Sequence, residues 1–186
     1  ELLINNVLSL KKNTVKILKD AIADLPFIEP AESADYIYKN GSKKQIFNHV
    51  AMNHTQQLIK RLSHVPPGGG LLDVPKKLLT PHLKKMVNGN YGSGGHQKNI
   101  YGRMDWNKPS STIVAGIDKI TCGRFIHPER NRLLTPRECA RIQGFPDNFK
   151  FFGSKVDQYY MIGNAVSPKM SKMFSASIIK SLENQH

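Results

Sequence analysis

Residues 135–138, Thr-Pro-Arg-Glu, are the segment that most narrows what this chain can fold into. A threonine three residues before a glutamate is a capping box, in which each side chain bonds the backbone N–H of the other residue. Proline at the first helical position adds a second start signal, because its missing N–H needs no partner there. Gly144 and Pro146 then end the helix. The sequence therefore predicts a short helix that begins directly after Thr135.

Two helical patterns lie in the first third of the chain. Apolar residues at i, i+3, i+4 and i+7, beginning at Leu18, predict an amphipathic helix that Thr14 caps and Pro26 stops. A second apolar pattern over 58–62 runs into Pro-Pro-Gly-Gly-Gly at 66–70. A loop is therefore expected after the second helix.

The middle of the chain combines a basic stretch with short β-rich runs. Residues 76–108 carry seven basic side chains against one acid, Asp105. The glycine-rich part of this stretch, NGNYGSGGH, lacks both the spacing of a phosphate-binding loop and the Lys-Ser/Thr that follows such a loop. We expect a flexible cationic segment, followed by strands at 112–117 and 125–126.

The last helical pattern begins with Ser167 as cap and Pro168 in the first turn. Its stripe on one face consists of Met170, Met173, Phe174, Ser177 and Ile178. A stripe of this kind is more typical of a packed core than of a cofactor site, so the terminal helix needs a partner surface.

Charge is the compositional feature that bears most on function. The 186 residues contain 27 Lys and Arg against 14 Asp and Glu, a formal charge of +13, which favours a polyanionic partner.

No apolar run is long enough to predict a membrane span. The two cysteines, Cys122 and Cys139, lack metal-ligand spacing and cannot form a disulfide framework, so a reducing cytoplasm is expected. The start at Glu1, without signal-peptide features, favours a piece of a longer chain.

The spacing of titratable residues predicts no catalytic or metal centre. His49 and His54 are five residues apart, which does not place both on one helical face, and no third ligand completes a metal set. Glu138 is used by the capping box, so Glu129 and Glu138 do not form an acid–base pair.

Two strings carry a resemblance to a known family. RLLTPRECARIQGFPDNF (132–149) and IGNAVSPKM (162–170) resemble the ninth and tenth motifs of the DNA (cytosine-5) methyltransferases. The pieces TVKILKDAIADLP, NHVAMNHTQQLIKRLSHVPPGGG, YGRMDWNKPSSTI and GRFIHPERNRLLT are similar to the stretch that precedes the ninth motif in bacterial members. The resemblance covers nearly the whole chain, in the order of the family.

The resemblance implies an α+β fold with four parts. These are a linking helix after the catalytic domain (1–25), a small mixed target recognition domain (26–131), the scaffold motif (132–150), and a loop and helix (151–186). In the complete enzyme the last part would pack on a Rossmann-like domain that uses S-adenosylmethionine. Double-stranded DNA and that catalytic domain, in the same chain or as a separate subunit, are the implied partners.

The resemblance also implies site residues. The candidates for DNA contact are Arg103, Lys108, Lys119 and Arg124, because basic side chains read guanine or bind phosphate. The candidates for the cofactor pocket are Asn164, Ala165 and Val166. The candidates for the scaffold are Arg132, Thr135, Arg137, Glu138 and Arg141.

The chemistry of the family needs groups that this sequence does not contain. A cysteine thiolate attacks C6 of a flipped-out cytosine before methyl transfer to C5, and an acidic residue is needed near the ring nitrogen. In the family, a Pro-Cys-Gln segment and a Glu-Asn-Val segment supply the thiolate and the acidic residue. Neither segment occurs here. The chain alone is therefore predicted to be inactive. A stand-alone basic DNA-binding module is the alternative, and a folded scaffold without measurable activity is a third possibility.

Overall fold

The computed structural model describes residues 15–88 and 99–183. Its helices are α1 (Leu18–Ile22), α2 (Gln56–Leu62), α3 (Pro81–Val87), α4 (Pro136–Gln143), α5 (Lys155–Asn164) and α6 (Pro168–Glu183). Its strands are β1 (Tyr36–Lys39), β2 (Ser42–Gln45), β3 (Gly102–Arg103) and β4 (Arg124–Ile126). Strands β1 and β2 pair antiparallel, and β3 and β4 pair parallel. The mixture of helices and short strands is an α+β fold, as the sequence predicts.

Helix α4 confirms the capping box. The Thr135 hydroxyl accepts the Glu138 backbone N–H at 3.1 Å, and the Glu138 carboxylate accepts the Thr135 N–H at 2.6 Å. Gly144 follows the helix with a φ of +92°, a conformation that glycine adopts without strain. The start and the end of this helix are therefore both set by local sequence.

The helix predicted at the start of the described chain is present but short. Helix α1 ends at Ile22, although Leu25 beyond it is buried as the periodicity implies. The predicted cap, Thr14, lies outside the described residues, as does most of the glycine-rich segment. The pattern at 58–62 is confirmed by α2.

The strand predicted at 112–117 is wrong. The Ile117 N–H donates to the Val114 carbonyl at 3.3 Å, so the backbone turns here instead of extending. Ile113 and Ile117 are nevertheless buried in the core. The apolar side chains of this run reflect burial rather than strand structure, which periodicity alone cannot separate.

The described residues form two hydrophobic clusters. The larger cluster joins α1, the β1–β2 hairpin, α4 and α5 through residues such as Leu18, Ile37 and Ile162. The smaller cluster joins Leu62 to residues between 65 and 101 and to Ile126 of β4. The hairpin at 36–45 therefore packs with α1, α4 and α5, whereas the chain from α2 to β3 has its own core.

The predicted stripe of the terminal helix is mostly exposed. Met170, Phe174 and Ile178 are 42–49% exposed, and Ser177 is the buried member of the stripe. The Ser167 hydroxyl donates to the Gln143 carbonyl at 2.6 Å, which fastens the start of α6 to the end of α4. The periodic pattern therefore marks an apolar face that is not buried within the described chain.

No helix among the described residues is long and apolar enough to cross a membrane.

At Gly163 the backbone of α5 lies close to the backbone of residues 114–115. A Cβ built on Gly163 would lie 2.3 Å from the Ala115 nitrogen and 2.3 Å from the Val114 carbonyl carbon. No side chain fits that gap, so α5 can lie against the 114–115 turn only with glycine at this position.

We expect Gly163→Ala to destabilise the fold by about 2 kcal/mol, because the backbone at 114–115 must move to admit the methyl group. Urea denaturation measures the change. Gly116→Ala is the matched control, because the nearest atom to its new methyl group is the Cys122 sulfur at 3.3 Å, on an exposed residue. Equal stability of the Gly163→Ala variant and the unsubstituted chain would contradict the close packing described here.

Candidate functional site

A buried ion pair lies at the centre of the scaffold residues. The Arg132 guanidinium contacts both carboxylate oxygens of Glu138, each at 2.8 Å, and neither side chain is more than 2% exposed. Arg132 also donates to the carbonyls of Ile28 and Leu133. Burial raises the pKa of Glu138, but the charge and hydrogen bonds of Arg132 lower it by a larger amount. The net result is a pKa of about 2. The pair is therefore ionised and ties α4 to the chain at residue 28.

Two buried histidines flank this pair in neutral form. His49 Nε2 lies 2.9 Å from the Pro26 carbonyl, which can only accept, so Nδ1 accepts from the Thr135 hydroxyl. His127 Nδ1 accepts the N–H groups of Glu129 and Arg130 at 3.1 Å. Burial lowers the pKa of His127 to about 4 and lowers that of His49 as well. Both rings act as structural acceptors rather than as proton carriers.

The other scaffold arginines hold neighbouring segments against α4. Arg137 donates to the carbonyls of Phe47, Pro146 and Phe149. Arg141 forms a bidentate pair with Asp147, at 2.7 and 2.8 Å, and a second ion pair with Asp24. Burial raises the pKa of Asp24, but the adjacent Arg141 produces a net lowering. These contacts join α4 to neighbouring segments of the chain, and the scaffold role of the arginines stays a prediction.

Arg103 does not lie where a DNA contact requires it to lie. Its side chain is buried, and its three guanidinium nitrogens donate to the carbonyls of Leu62, Val65, His127 and Arg130 and to the Asn131 side chain. No donor remains for a base edge in this conformation. The position corrects the expectation for Arg103, which joins the end of α2 to the loop after β4.

The other three candidates for DNA contact differ in exposure. Arg124 is half-buried and donates to the carbonyls of Gly69 and Arg103. Lys108 is exposed and its ammonium lies 3.7 Å from the Asp105 carboxylate. Lys119 is also exposed, in the turn that precedes β4. Both lysine side chains are therefore accessible to solvent, and their contact with DNA stays a prediction.

The three candidates for the cofactor pocket lie at the junction of α5 and α6. Asn164 is the last residue of α5 and is exposed, Ala165 is half-buried, and Val166 is 63% exposed. Together they present an amide and an apolar side chain directly before Pro168. The site is thus an open edge rather than an enclosed pocket.

A groove of about 580 Å³ lies elsewhere, between α1 and the end of α4. It is lined by charges of both signs, including Asp24, Lys39, Arg141 and Lys169, and it does not include the cofactor candidates. Within 15–88 and 99–183, no three His, Cys, Asp or Glu side chains lie close enough together to hold a metal ion.

Comparison with known proteins decides the family. Residues 3–180 match the family model described as C-5 cytosine-specific DNA methylase. The chain belongs to the C-5 cytosine-specific DNA methylases. The methylases of this family use S-adenosylmethionine, and type II restriction-modification enzymes are among the relatives of this chain.

Individual relatives extend the same finding. The chain is 34% identical to the type II methyltransferase M.DdeI of Desulfomicrobium norvegicum, over 90% of this chain and 43% of that protein. It is 33% identical to M1.HphI of Haemophilus parahaemolyticus, over 78% of this chain and 34% of that protein. It is 32% identical to DNA (cytosine-5)-methyltransferase 3 of Arabidopsis thaliana, over 83% of this chain and 12% of that protein. The chain thus spans less than half the length of each.

A solved structure shares the fold. A prophage-encoded protein of E. coli, described as a DNA modification methyltransferase, has a TM-score of 0.57 to this chain and 22% sequence identity. The match covers 92% of this chain and 49% of that one. At this identity the likeness shows the fold.

We expect Arg103→Lys to destabilise the chain by at least about 3 kcal/mol, because several buried carbonyls lose their donors. Lysine keeps the charge but cannot reach the same acceptors. Urea denaturation is the measurement, and Lys119→Ala, at an exposed position, is the control that should change stability by no more than about 0.5 kcal/mol. Similar small effects for both variants would contradict the structural role of Arg103.

Acid should destabilise the fold through His127. The unfolded chain protonates this residue near pH 6.5 and the folded chain only near pH 4, so its contribution is intact above pH 6.5 and is lost as the pH falls toward 4. The expected loss is about 3 kcal/mol in the free energy of unfolding.

His127→Asn provides the matched test, because the Asn oxygen can accept the same N–H groups but does not titrate. Urea denaturation between pH 7 and pH 4 should give a flatter pH dependence for this variant. The same acid sensitivity in both proteins would show that His127 is not the group responsible.

Proposed function

We propose that this chain is the DNA-recognition and cofactor-pocket-closing part of a DNA (cytosine-5)-methyltransferase. That enzyme would transfer a methyl group from S-adenosylmethionine to C5 of cytosine in a specific sequence of double-stranded DNA. The observation that carries the proposal is the family match over 3–180 in a sequence without the Pro-Cys-Gln nucleophile segment. The chain matches the family but lacks the group that starts its reaction.

Neither cysteine of this chain is suited to replace that nucleophile. Cys139 is completely buried within α4, and burial raises the pKa of its thiol well above the usual value. A buried, protonated thiol is a poor nucleophile. Cys122 is exposed, but it lies in Ile-Thr-Cys-Gly and not in the context of the family's nucleophile. We therefore propose that the nucleophile comes from a catalytic domain in the same polypeptide or in a second subunit.

The recognition role rests on the chain between residues 26 and 131. This part includes the separate core around Leu62 and Ile100 and carries the exposed Lys108 and Lys119. Lysines of this kind neutralise phosphates and orient a protein on the duplex, whereas base edges determine sequence preference. Arg103 would hold the segments of this part together from within.

The cofactor and docking role rests on the chain after residue 150. The exposed Asn164 and Val166 precede a helix whose Met170, Phe174 and Ile178 are also exposed. An apolar helix face open to solvent is typical of a protein interface. We infer that α6 packs on the Rossmann-like catalytic domain and brings the 164–166 edge to the cofactor. There the Asn164 amide would bond a polar group of S-adenosylmethionine, which supplies the methyl group, and Val166 would form an apolar wall.

The same face distinguishes this proposal from a stand-alone DNA-binding module. A module that only binds DNA has no use for an apolar docking helix, whereas both kinds of protein would show salt-dependent DNA binding.

The mass of the native gene product, detected through a peptide from 132–149, tests whether the catalytic domain belongs to the same polypeptide. A product much heavier than 20.9 kDa would support a catalytic domain in the same chain. A product near 20.9 kDa would indicate either a separate catalytic subunit or a stand-alone DNA-binding module, and a co-purifying catalytic subunit would decide between them.

We expect Asn164→Ala to raise the KM for S-adenosylmethionine in the complete enzyme, while DNA binding by this chain stays unchanged. The loss of one hydrogen bond corresponds to an increase of about 5- to 10-fold. Steady-state methyl transfer and DNA binding are the two measurements. Gln158→Ala is the control on the same helix, because its amide donates to the Gly153 carbonyl. Equal losses of cofactor use and DNA binding would contradict the assignment.

A further inference from the structure

The β1–β2 hairpin is a regular element that contributes little to the core. Asn40 and Gly41 form its two-residue turn with φ values of +50° and +73°, as in the tightest hairpin connections. The pairing runs from Tyr36 opposite Gln45 to Lys39 opposite Ser42. Of the eight strand residues, Ile37 alone is buried. The hairpin therefore projects its side chains into solvent from a fixed backbone.

Its exposed side chains are aromatic and basic. Tyr38 is 75% exposed and Tyr36 is 43% exposed. Residues 36–45 contain three lysines and no acidic residue. Because alternate residues of a strand share a face, Tyr36 and Tyr38 lie on the same side, and Lys43 is directly opposite Tyr38 in the register.

The lysines on this hairpin differ in their local partners. The Lys43 ammonium lies 3.9 Å from the centre of the Tyr36 ring, which holds the charge at the outer face. Lys44 is exposed, but it lies opposite Ile37 in the register and therefore on the other face of the hairpin from Lys43 and the two tyrosines. Lys39 shares the face of Ile37 and lies 3.5 Å from the Asp24 carboxylate, which partly neutralises it. Lys43 therefore supplies the positive charge on the face of the two tyrosines.

Protection against strand-to-strand aggregation does not account for this surface. Lysines on an edge strand discourage pairing with another strand. Two exposed tyrosines beside them have the opposite effect, because aromatic residues favour strands and add apolar surface. Tyrosine hydroxyls and lysine ammonium groups together are, however, typical donors to the phosphates of DNA.

We propose that the face of the β1–β2 hairpin that carries Tyr36, Tyr38 and Lys43 is a second DNA-contact surface, which binds the phosphate backbone of duplex DNA through Lys43 and Tyr38. The proposal rests on the proposed function, since it assumes that the chain engages DNA. It adds contacts outside Lys108 and Lys119, on an element that packs with α4 and α5 through Ile37. Such contacts fix orientation on the duplex and are independent of base sequence.

The test is the salt dependence of binding to a random-sequence 30-base-pair duplex. Each lost phosphate contact lowers the slope of log K against log salt by about 0.9. Lys43→Ala should therefore reduce the slope by about 0.9 and weaken binding about fivefold at 0.15 M salt. Lys44→Ala is the matched control, because it removes the same charge from the other face of the same strand and should leave the slope unchanged.

Tyr38→Phe is a second, milder variant that removes one exposed hydroxyl and keeps the ring. It should weaken duplex binding about threefold without changing the slope, because the lost donor is neutral. This variant keeps the test decisive if the Lys43→Ala variant fails to fold. Circular dichroism and thermal unfolding identify such a failure.

The outcomes separate the two proposals. If the unsubstituted chain does not bind the duplex, the proposed function itself fails. If it binds and the Lys43→Ala and Tyr38→Phe variants match it, or if Lys43→Ala and Lys44→Ala lose the same slope, the hairpin assignment is overturned. A slope reduced by Lys43→Ala and not by Lys44→Ala, together with weaker binding by Tyr38→Phe, is the result that supports the assignment.

Discussion

The buried contact between Arg132 and Glu138 is the interaction on which the rest of the structure depends. Transfer of two charges from water into the interior is costly, and bidentate geometry with further hydrogen bonds is what offsets that cost. Here all three guanidinium nitrogens are engaged, since Arg132 also bonds the carbonyls of Ile28 and Leu133. Glu138 meanwhile completes the cap of α4 through the Thr135 N–H. One carboxylate thus sets the helix start and fixes a distant segment.

The consequences extend outward from α4. With its start fixed, the helix presents Arg137 toward 47 and 146–149 and Arg141 toward Asp24 and Asp147. These ion pairs and hydrogen bonds hold α1, the chain after the hairpin and the return toward α5 around a single short helix. The neutral His49 and His127 are packed around the same pair as hydrogen-bond acceptors. The scaffold therefore depends on a dense polar centre as well as on apolar packing.

The sequence predicts those parts of the fold whose signals are local. The capping box, the proline after it and Gly144 define α4 because each acts within one helical turn. The run at 112–117 misleads because β-branched residues also fill a buried turn, and the approach of Gly163 that shapes this turn comes from a distant part of the chain. The hairpin at 36–45 has a mostly polar pattern that does not predict strands, although Asn-Gly between two short runs is a hairpin signal.

In the candidate sites, too, the sequence predicts local features but not contacts with distant residues. A sequence reveals the charge of Arg103 but not its burial, which depends on carbonyls between 24 and 41 residues away. The stripe of α6 is typical of a packed core, yet Met170, Phe174 and Ile178 are exposed, because burial of a helix face depends on the surface that covers it. Asn164, Ala165 and Val166 are positioned by the junction of α5 and α6, and their role toward the cofactor stays a prediction. The geometry of a site that is assigned from a motif is therefore complete only together with the surface that packs against it.

The central claim is that this chain supplies DNA recognition while another part of the enzyme supplies the nucleophile. The most direct measurement incubates the purified chain with duplex DNA and S-adenosylmethionine labelled in its methyl group, and follows both binding and transfer of the label to cytosine. The account predicts salt-dependent binding of the duplex without transfer. Labelled 5-methylcytosine formed by the chain alone would contradict it, since neither Cys122 nor Cys139 is placed to start that reaction.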